Sequence, residues 1–273
     1  MQRTYHFISG LPRSGSTLLS SILNQNPRFY ASISDCVQQY AHAIIRETEA
    51  SVGVPVLVPP AKRIEVIRGI FDSYYSDKSE VCFNTNRGWS GDTAFLKQIY
   101  PDFKMIVMLR DVRWVLNSFE VLHQKTPLTL KPLYHNQDVQ SVYDRTQMLM
   151  GDIPNFGGYV SGPLAGVNAS FASAEKDNIL YVTYAALVKQ PEKTLKAIYA
   201  FLGETYYQHD FNNVAASYDE FDAHAKIQGL HTIRKAVAAK KQPVLIPPDL
   251  WEKYASANSW LHINKSKYNF IDL

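Results

Sequence analysis

The stretch Thr4-Tyr5-His6-Phe7-Ile8-Ser9-Gly10-Leu11-Pro12-Arg13-Ser14-Gly15-Ser16-Thr17-Leu18-Leu19 reads as a strand, a tight turn and the start of a helix. Tyr5 to Ile8 is short, aromatic and β-branched, and Gly10 and Pro12 interrupt it. Leu18, Leu19, Ile22 and Leu23 then recur at helical spacing as far as Asn26-Pro27. Further along the chain the same grammar returns twice. Lys104 to Leu109 is an apolar run of the kind that a strand buried on both faces needs, and it meets Arg110-Asp111 before a helical pattern running from near Val112 towards His123. Ile179 to Val182 leads through a short loop to Pro191 at a helix start and Gly203 just past a helix end. Three strand-to-helix units predict an α/β fold with a parallel sheet.

Val81 to Phe83 is a further short strand candidate, and Ala61 to Tyr75 and Asp138 to Met150 are predicted as helices outside the sheet. Two stretches read as irregular: Ser51 to Pro60, with three prolines, and Gly151 to Gly166, with Pro154, Gly157-Gly158 and Pro163. Loops of that length often serve as lids or binding segments. A chain of 273 residues with 46% hydrophobic content can bury one large core. The expectation is a single domain over 1-273, with insertions at about 51-75 and 124-172 and a packed C-terminal extension at about 207-273. That extension is rich in Tyr and His, carries Arg234-Lys235 and Lys240-Lys241, and ends in a helical pattern near Asp249 to Ala257.

A formal charge of +3 is far from the basic density of a dedicated nucleic-acid binder, and an anionic small ligand suffices to explain it. Two cysteines, Cys36 and Cys82, make no disulfide framework, and the eight histidines show no metal-ligand spacing, so no metal is expected. No stretch is apolar and long enough to span a bilayer, and the amino terminus lacks the pattern of a secretory leader. The expected location is cytoplasmic, with no membrane partner and no nucleic acid.

Gly10-Leu11-Pro12-Arg13-Ser14-Gly15-Ser16-Thr17 fits the phosphate-loop pattern G-x-x-x-x-G-K-[ST] except that Ser16 stands in the lysine's place. Backbone N–H groups of such a turn, with the positive end of the following helix, still cradle an anion. What is missing is the cation that reaches the terminal phosphates of ATP or GTP. A loop that moves its cation to Arg13 suits an anion carrying less charge than a Mg-bound triphosphate. The fold class this implies is a P-loop NTPase-like three-layer fold, with a central parallel sheet flanked by helices.

Leu11 to Leu19 also resembles the 5'-phosphosulfate loop of sulfotransferases that use 3'-phosphoadenosine 5'-phosphosulfate (PAPS). Arg110-Asp111-Val112-Arg113-Trp114-Val115-Leu116-Asn117-Ser118 resembles that family's 3'-phosphate segment, with Arg at a strand end and Ser eight residues later on a helix. An arginine fork plus a hydroxyl matches a terminal phosphate. Tyr181 to Val188, followed by Pro191 and Phe201-Leu202-Gly203, resembles the family's later strand and helix, where Tyr184 matches a tyrosine near the adenine. Arg234-Lys235 resembles a basic pair that closes over the 3'-phosphate in some members, with Ala236 in place of the usual glycine. The resemblance implies sulfuryl transfer from PAPS, without a metal, to the hydroxyl of a small molecule or peptide. It implies a donor site of Arg13, Ser14, Gly15, Ser16, Thr17, Leu18, Arg110, Ser118, Tyr184, Arg234 and Lys235.

Sulfuryl transfer rests on positioning and on cations at the leaving phosphate, and Arg13 is the first candidate for that cation. Asn84-Thr85-Asn86-Arg87 resembles the segment where cytosolic members carry Lys-Thr-His, but Asn86 occupies the place of the basic histidine, and an amide cannot take a proton. The loop is more similar to that of tyrosylprotein sulfotransferases, which use a carboxylate after the first helix and a lysine in the middle segment. Asp35 and Arg87 are the nearest equivalents, with His42, Glu120 and His123 as rivals for the base. Asp35 equally fits a helix N-cap, Arg87 a surface cation, and Trp89 and Trp114 either an acceptor pocket or core. Two other readings are open: a P-loop nucleotide kinase, which Ser16 disfavours, and a non-catalytic adenosine-bisphosphate-binding module.

Overall fold

The structure is a computed structural model that describes residues 3–50, 53, 57–127, 130–152, 157–214, 216–239 and 241–273. Pro154, Lys240 and most of the proline-rich run at 51–56 lie outside the described residues. Among the described residues, six strands form one sheet: β1 (Thr4–Gly10), β2 (Phe29–Ala31), β3 (Val81–Thr85), β4 (Lys104–Leu109), β5 (Ile179–Thr183) and β6 (Asn269–Ile271). Their order is β2-β3-β1-β4-β5-β6, and every pair is parallel. This is the α/β three-layer architecture expected of the three strand-to-helix units.

Alternation along β1 explains the two layers of core. Tyr5 and Phe7 face one side, where Phe7 meets Trp89 edge-on at 5.2 Å and both pack with Phe71 of α3 (Pro60–Tyr74). Ile8 faces the other side, against Leu19 and Ile22 of α1 (Ser16–Leu23) and Leu195 and Ile198 of α9 (Pro191–Leu202). Each such apolar side chain, fully buried, contributes roughly 1.5–3 kcal/mol, so the central strand is held from both faces.

Among the described residues the remaining α-helices are α2 (Val37–Ala50), α4 (Thr93–Ile99), α5 (Val112–Lys125), α6 (Val142–Met150), α7 (Ser161–Phe171), α8 (Tyr184–Lys189), α10 (Asp219–His224) and α11 (Pro248–Lys253). Their ends carry local chemistry. Asp111 caps α5 by accepting from the Arg113 N–H at 2.9 Å, and Gly203 ends α9 in the left-handed region at φ 75°. The helix expected from Asp138 begins at Val142, because Ser141 and Asp144 form a capping box there.

The stretch 151–166, expected to be irregular, instead enters α7 at Ser161. Pro163 falls in the helix's first turn, where its missing N–H costs nothing. Gly166 lets α7 approach the turn Arg87–Gly91: a Cβ on it would lie 3.0 Å from Ser90 Oγ and 3.1 Å from the Gly91 nitrogen. β2 and β6, three residues each, were not visible as strands in the sequence. They are set by pairing, Phe29 with Val81 and Leu180 with Asn269. Among the described residues, no helix is long and apolar enough to cross a membrane.

Candidate active site

β1 lies between β3 and β4, so the chain leaves the sheet's centre towards opposite edges, and ligands of such sheets bind beyond the carboxyl ends of the strands at that point. The segments that follow β1, β3, β4 and β5 supply Arg13, Arg87, Arg110 and Tyr184 to the wall of one cavity of about 500 Å³. That is the size of a small-ligand site.

The turn after β1 is shaped by close approach. Gly10, at φ 113°, has no room for a Cβ because the Met108 backbone of β4 occupies it, and the Leu11 N–H donates to the Met108 carbonyl at 3.0 Å. Arg13 (φ 58°) and Gly15 (φ 98°) take left-handed conformations, and a Cβ on Gly15 would meet the Tyr184 ring at 2.8 Å. Ser14 closes the turn by donating its hydroxyl to the Leu11 carbonyl at 2.5 Å. Gly15, Ser16, Thr17 and Leu18 line the cavity, so the first turn of α1, whose N–H groups have no partners inside the helix, faces it.

Three arginines meet there. Arg13 donates from Nε to Ser118 Oγ on α5 at 3.0 Å and from its fork to the Leu230 carbonyl. Arg110 donates to the Arg13 carbonyl at 2.8 Å and lies 4.7 Å over the Tyr184 ring, a cation–π contact. Arg87 donates from Nη2 to Ser16 Oγ at 2.7 Å, while its Nη1 is buried without a hydrogen-bond partner. Burial lowers all three, and the Arg110 charge helps to hold Arg13 down at about 10, so each is still a cation at neutral pH. Three partly desolvated cations and an unused donor make a wall that a multiply charged anion would satisfy.

Ser118 and Arg234 line the cavity too, whereas Lys235 does not; its carbonyl accepts from the Val214 N–H at 2.8 Å. Ser14 contributes through the turn rather than the wall. Asp35 is not brought to the cavity: its carboxylate accepts from the Val37 N–H at 3.0 Å and from the Tyr75 hydroxyl, and burial raises its pKa. Tyr75 in turn accepts from Asn84, which accepts from Trp89 Nε1 at 2.6 Å, so Trp89 belongs to the core. Trp114 sits edge-on to Trp251 at 5.1 Å, away from the cavity wall.

The rival bases lie elsewhere. Glu120 is locked in a buried two-pronged pair with Arg145, at 2.6 and 2.8 Å. His42 pairs with Asp92 at 2.6 Å on an exposed face, and His123 lines a separate depression beside Tyr134. On the cavity wall stand residues that the sequence reading passed over: His231, held by Asp222 at 2.6 Å, together with Tyr159 and Lys125. The histidines show no motif spacing, and the separation of nine from Asp222 to His231 matches no standard pattern; only Gly229, in the left-handed region at φ 80°, marks the turn that brings them together.

Fold and cavity define an α/β protein with an arginine-lined cavity at a strand-to-helix turn beside a switch point of its sheet. The chain belongs to the sulfotransferase family, whose model matches residues 6–208, and sulfuryl transfer is the reaction class that comes with it. No curated protein matches the sequence. Among solved structures, a sulfotransferase from Alicyclobacillus acidocaldarius is similar at 13% identity, with 92% of this chain and 99% of that one covered and a TM-score of 0.53. The sulfotransferase STF9 from Mycobacterium avium is similar at 12% identity, over 99% of this chain and 78% of that one, with a TM-score of 0.52. At such identities the likeness is one of fold.

Proposed function

We propose that the protein transfers a sulfuryl group from PAPS to an acceptor hydroxyl, leaving adenosine 3',5'-bisphosphate. The observation that carries this is the convergence of Arg13, Arg87 and Arg110 on one cavity whose loop has Ser16 where a triphosphate loop has lysine. The fit is chemical. A 5'-phosphosulfate needs the N-terminal turn of α1 and a cation, and a 3'-phosphate needs a second cationic group a nucleoside's width away.

In this reading the N–H groups from Ser14 to Thr17 hold the 5' end, and Arg87, already on Ser16, neutralises the charge that builds on the leaving phosphate. Arg110 and Ser118 hold the 3'-phosphate, Tyr184 lies by the adenine, and Arg234 caps the pocket. Arg13, the first choice from sequence for the reacting end, bonds to Ser118 instead and would link the two anion sites. The acceptor is a small-molecule or peptide hydroxyl, and the donor end needs no metal.

Calorimetric titration with adenosine 3',5'-bisphosphate, and separately with ATP plus Mg, tests the proposal. Selective binding of the bisphosphate supports the donor. Preference for Mg-ATP would replace this reading with a nucleotide kinase, and bisphosphate binding without turnover of PAPS on any hydroxyl would leave a binding module.

A further inference from the structure

We infer that His231, oriented by Asp222, is the general base that takes the acceptor's proton, so that the base comes from the C-terminal segment rather than from a strand end. The inference rests on the donor reading above and deepens it.

Asp222, 1% exposed on α10, gives both its oxygens to one residue. Oδ1 meets His231 Nδ1 at 2.6 Å, and Oδ2 accepts from the His231 backbone N–H at 2.9 Å. The backbone contact fixes where the residue sits. The side-chain contact fixes how its ring turns and keeps the ring proton on Nδ1, which leaves the Nε2 lone pair for the opposite edge. Among the described residues Nε2 has no hydrogen-bond partner. Phe221 packs edge-on against the same ring at 5.2 Å, holding it from the side.

The place fits the role. His231 lines the cavity with Arg13, Ser16 and Arg87, and among the described residues it is the one histidine or carboxylate on that wall. The other ionisable side chains facing the cavity are the phenols Tyr159 and Tyr184 and the cations Lys125, Arg13, Arg87, Arg110 and Arg234. Burial lowers the affinity of His231 for a proton, as do the charges of Arg87 and Arg13, while Asp222 raises it. The imidazole therefore lies in the field of both arginines and is neutral, and able to accept, at physiological pH.

The step balances as follows. The acceptor oxygen forms a bond to sulfur while its O–H bond breaks and the proton passes to Nε2. The bond between sulfur and the bridging oxygen breaks, and its electron pair stays on the 5'-phosphate of the departing bisphosphate. His231 then gives its proton to solvent. Asp222 touches neither reactant and is a positioning residue.

Three proteins test this: the wild type, His231→Gln and Asp222→Asn, each checked for fold by circular dichroism and thermal melting. Long-range 1H–15N spectra of the imidazoles, with the bisphosphate bound, should show an unprotonated Nε2 for His231 at neutral pH. Turnover of PAPS, with water and with phenol as probe acceptors, should fall on the acid side in step with that imidazole's titration. His231→Gln should bind the bisphosphate within about threefold of wild type, yet lose on the order of 100-fold or more in turnover, and its acid limb should vanish. Asp222→Asn, which removes the charge that favours the imidazolium, should move the acid limb to lower pH. A protonated Nε2 at neutral pH, or turnover in His231→Gln within about threefold of wild type, would overturn the inference while leaving the donor reading intact. A wild type that does not bind the bisphosphate would sink the donor reading and this inference with it.

Discussion

Arg87 Nη2 donates to Ser16 Oγ at 2.7 Å, tying the turn after β3 to the first residue of α1. The serine that replaces the usual loop lysine is thus served by a guanidinium from another strand, and that guanidinium keeps a second, buried donor free in Nη1. A cation held by the scaffold in this way is preorganised, which is what a developing negative charge exploits. Arg87→Ala should lower turnover of PAPS by about 10²- to 10³-fold, the usual loss for one such donor. Arg87→Lys should recover only part, because it restores the charge without the planar fork. Rates in both variants equal to wild type would remove Arg87 from the reacting end.

Arg110 leaves the end of β4 over the ring of Tyr184 and reaches the Arg13 carbonyl, while Arg13 reaches Ser118. In the proposed donor reading this chain of contacts holds the 3'-phosphate. Arg110→Ala should weaken adenosine 3',5'-bisphosphate by roughly 10- to 100-fold, the equivalent of one charge-assisted hydrogen-bond set. Adenosine 5'-monophosphate, which lacks the 3'-phosphate, should weaken much less. Titration of both ligands decides the matter: equal losses would mean that Arg110 serves the fold or the base, not the 3'-phosphate.

Much of this was legible from one dimension of information. Tyr5 to Ile8, Met105 to Leu109 and Ile179 to Val182 are buried on both faces, so these strands announce themselves, and Gly10 and Gly15 mark a turn that only glycine fits. Positions just past those strands are therefore readable, and Arg13, Arg110 and Tyr184 stand there, with Arg87 just past the shorter β3; all four line the cavity. β2 and β6 were not, since three residues carry no period and owe their state to a neighbour's free edge. Nor was the pairing of Asp222 with His231, because it depends on how a largely irregular segment folds back over the cavity, and no local pattern encodes that. Asp35 illustrates the converse: the resemblance offered it as the equivalent of a carboxylate catalyst and its residue type equally as a helix N-cap, and in the fold its carboxylate accepts from the Tyr75 hydroxyl and the Val37 N–H at the start of α2.

Glu120 and Arg145 form a buried pair, with side chains 6% and 9% exposed. Removing one partner of such a pair strands the other charge in a poorly solvated site, at about 3–5 kcal/mol. Glu120→Gln should lower unfolding stability by that order in urea titrations and leave bisphosphate affinity unchanged, since Glu120 is not on the cavity wall. A variant of undiminished stability that nevertheless cannot turn over PAPS would instead make Glu120 a participant in the chemistry.

His209 is 3% exposed and shares a hydrogen bond with the Tyr199 hydroxyl at 3.0 Å through Nε2. Burial lowers its pKa from 6.5 to about 4. The unfolded chain therefore binds a proton that the folded chain refuses, so His209 favours the folded state above pH 6.5. That contribution drains away as pH falls towards 4 and is fully lost below it. One proton changes stability by about 1.4 kcal/mol per pH unit, which over this interval is on the order of 3 kcal/mol. His209→Gln, which keeps a polar partner for Tyr199 but cannot titrate, should show a shallower decline in urea stability across that window than wild type. Parallel declines would mean that His209 is protonated in the folded state after all, and that the acid sensitivity of the fold arises elsewhere.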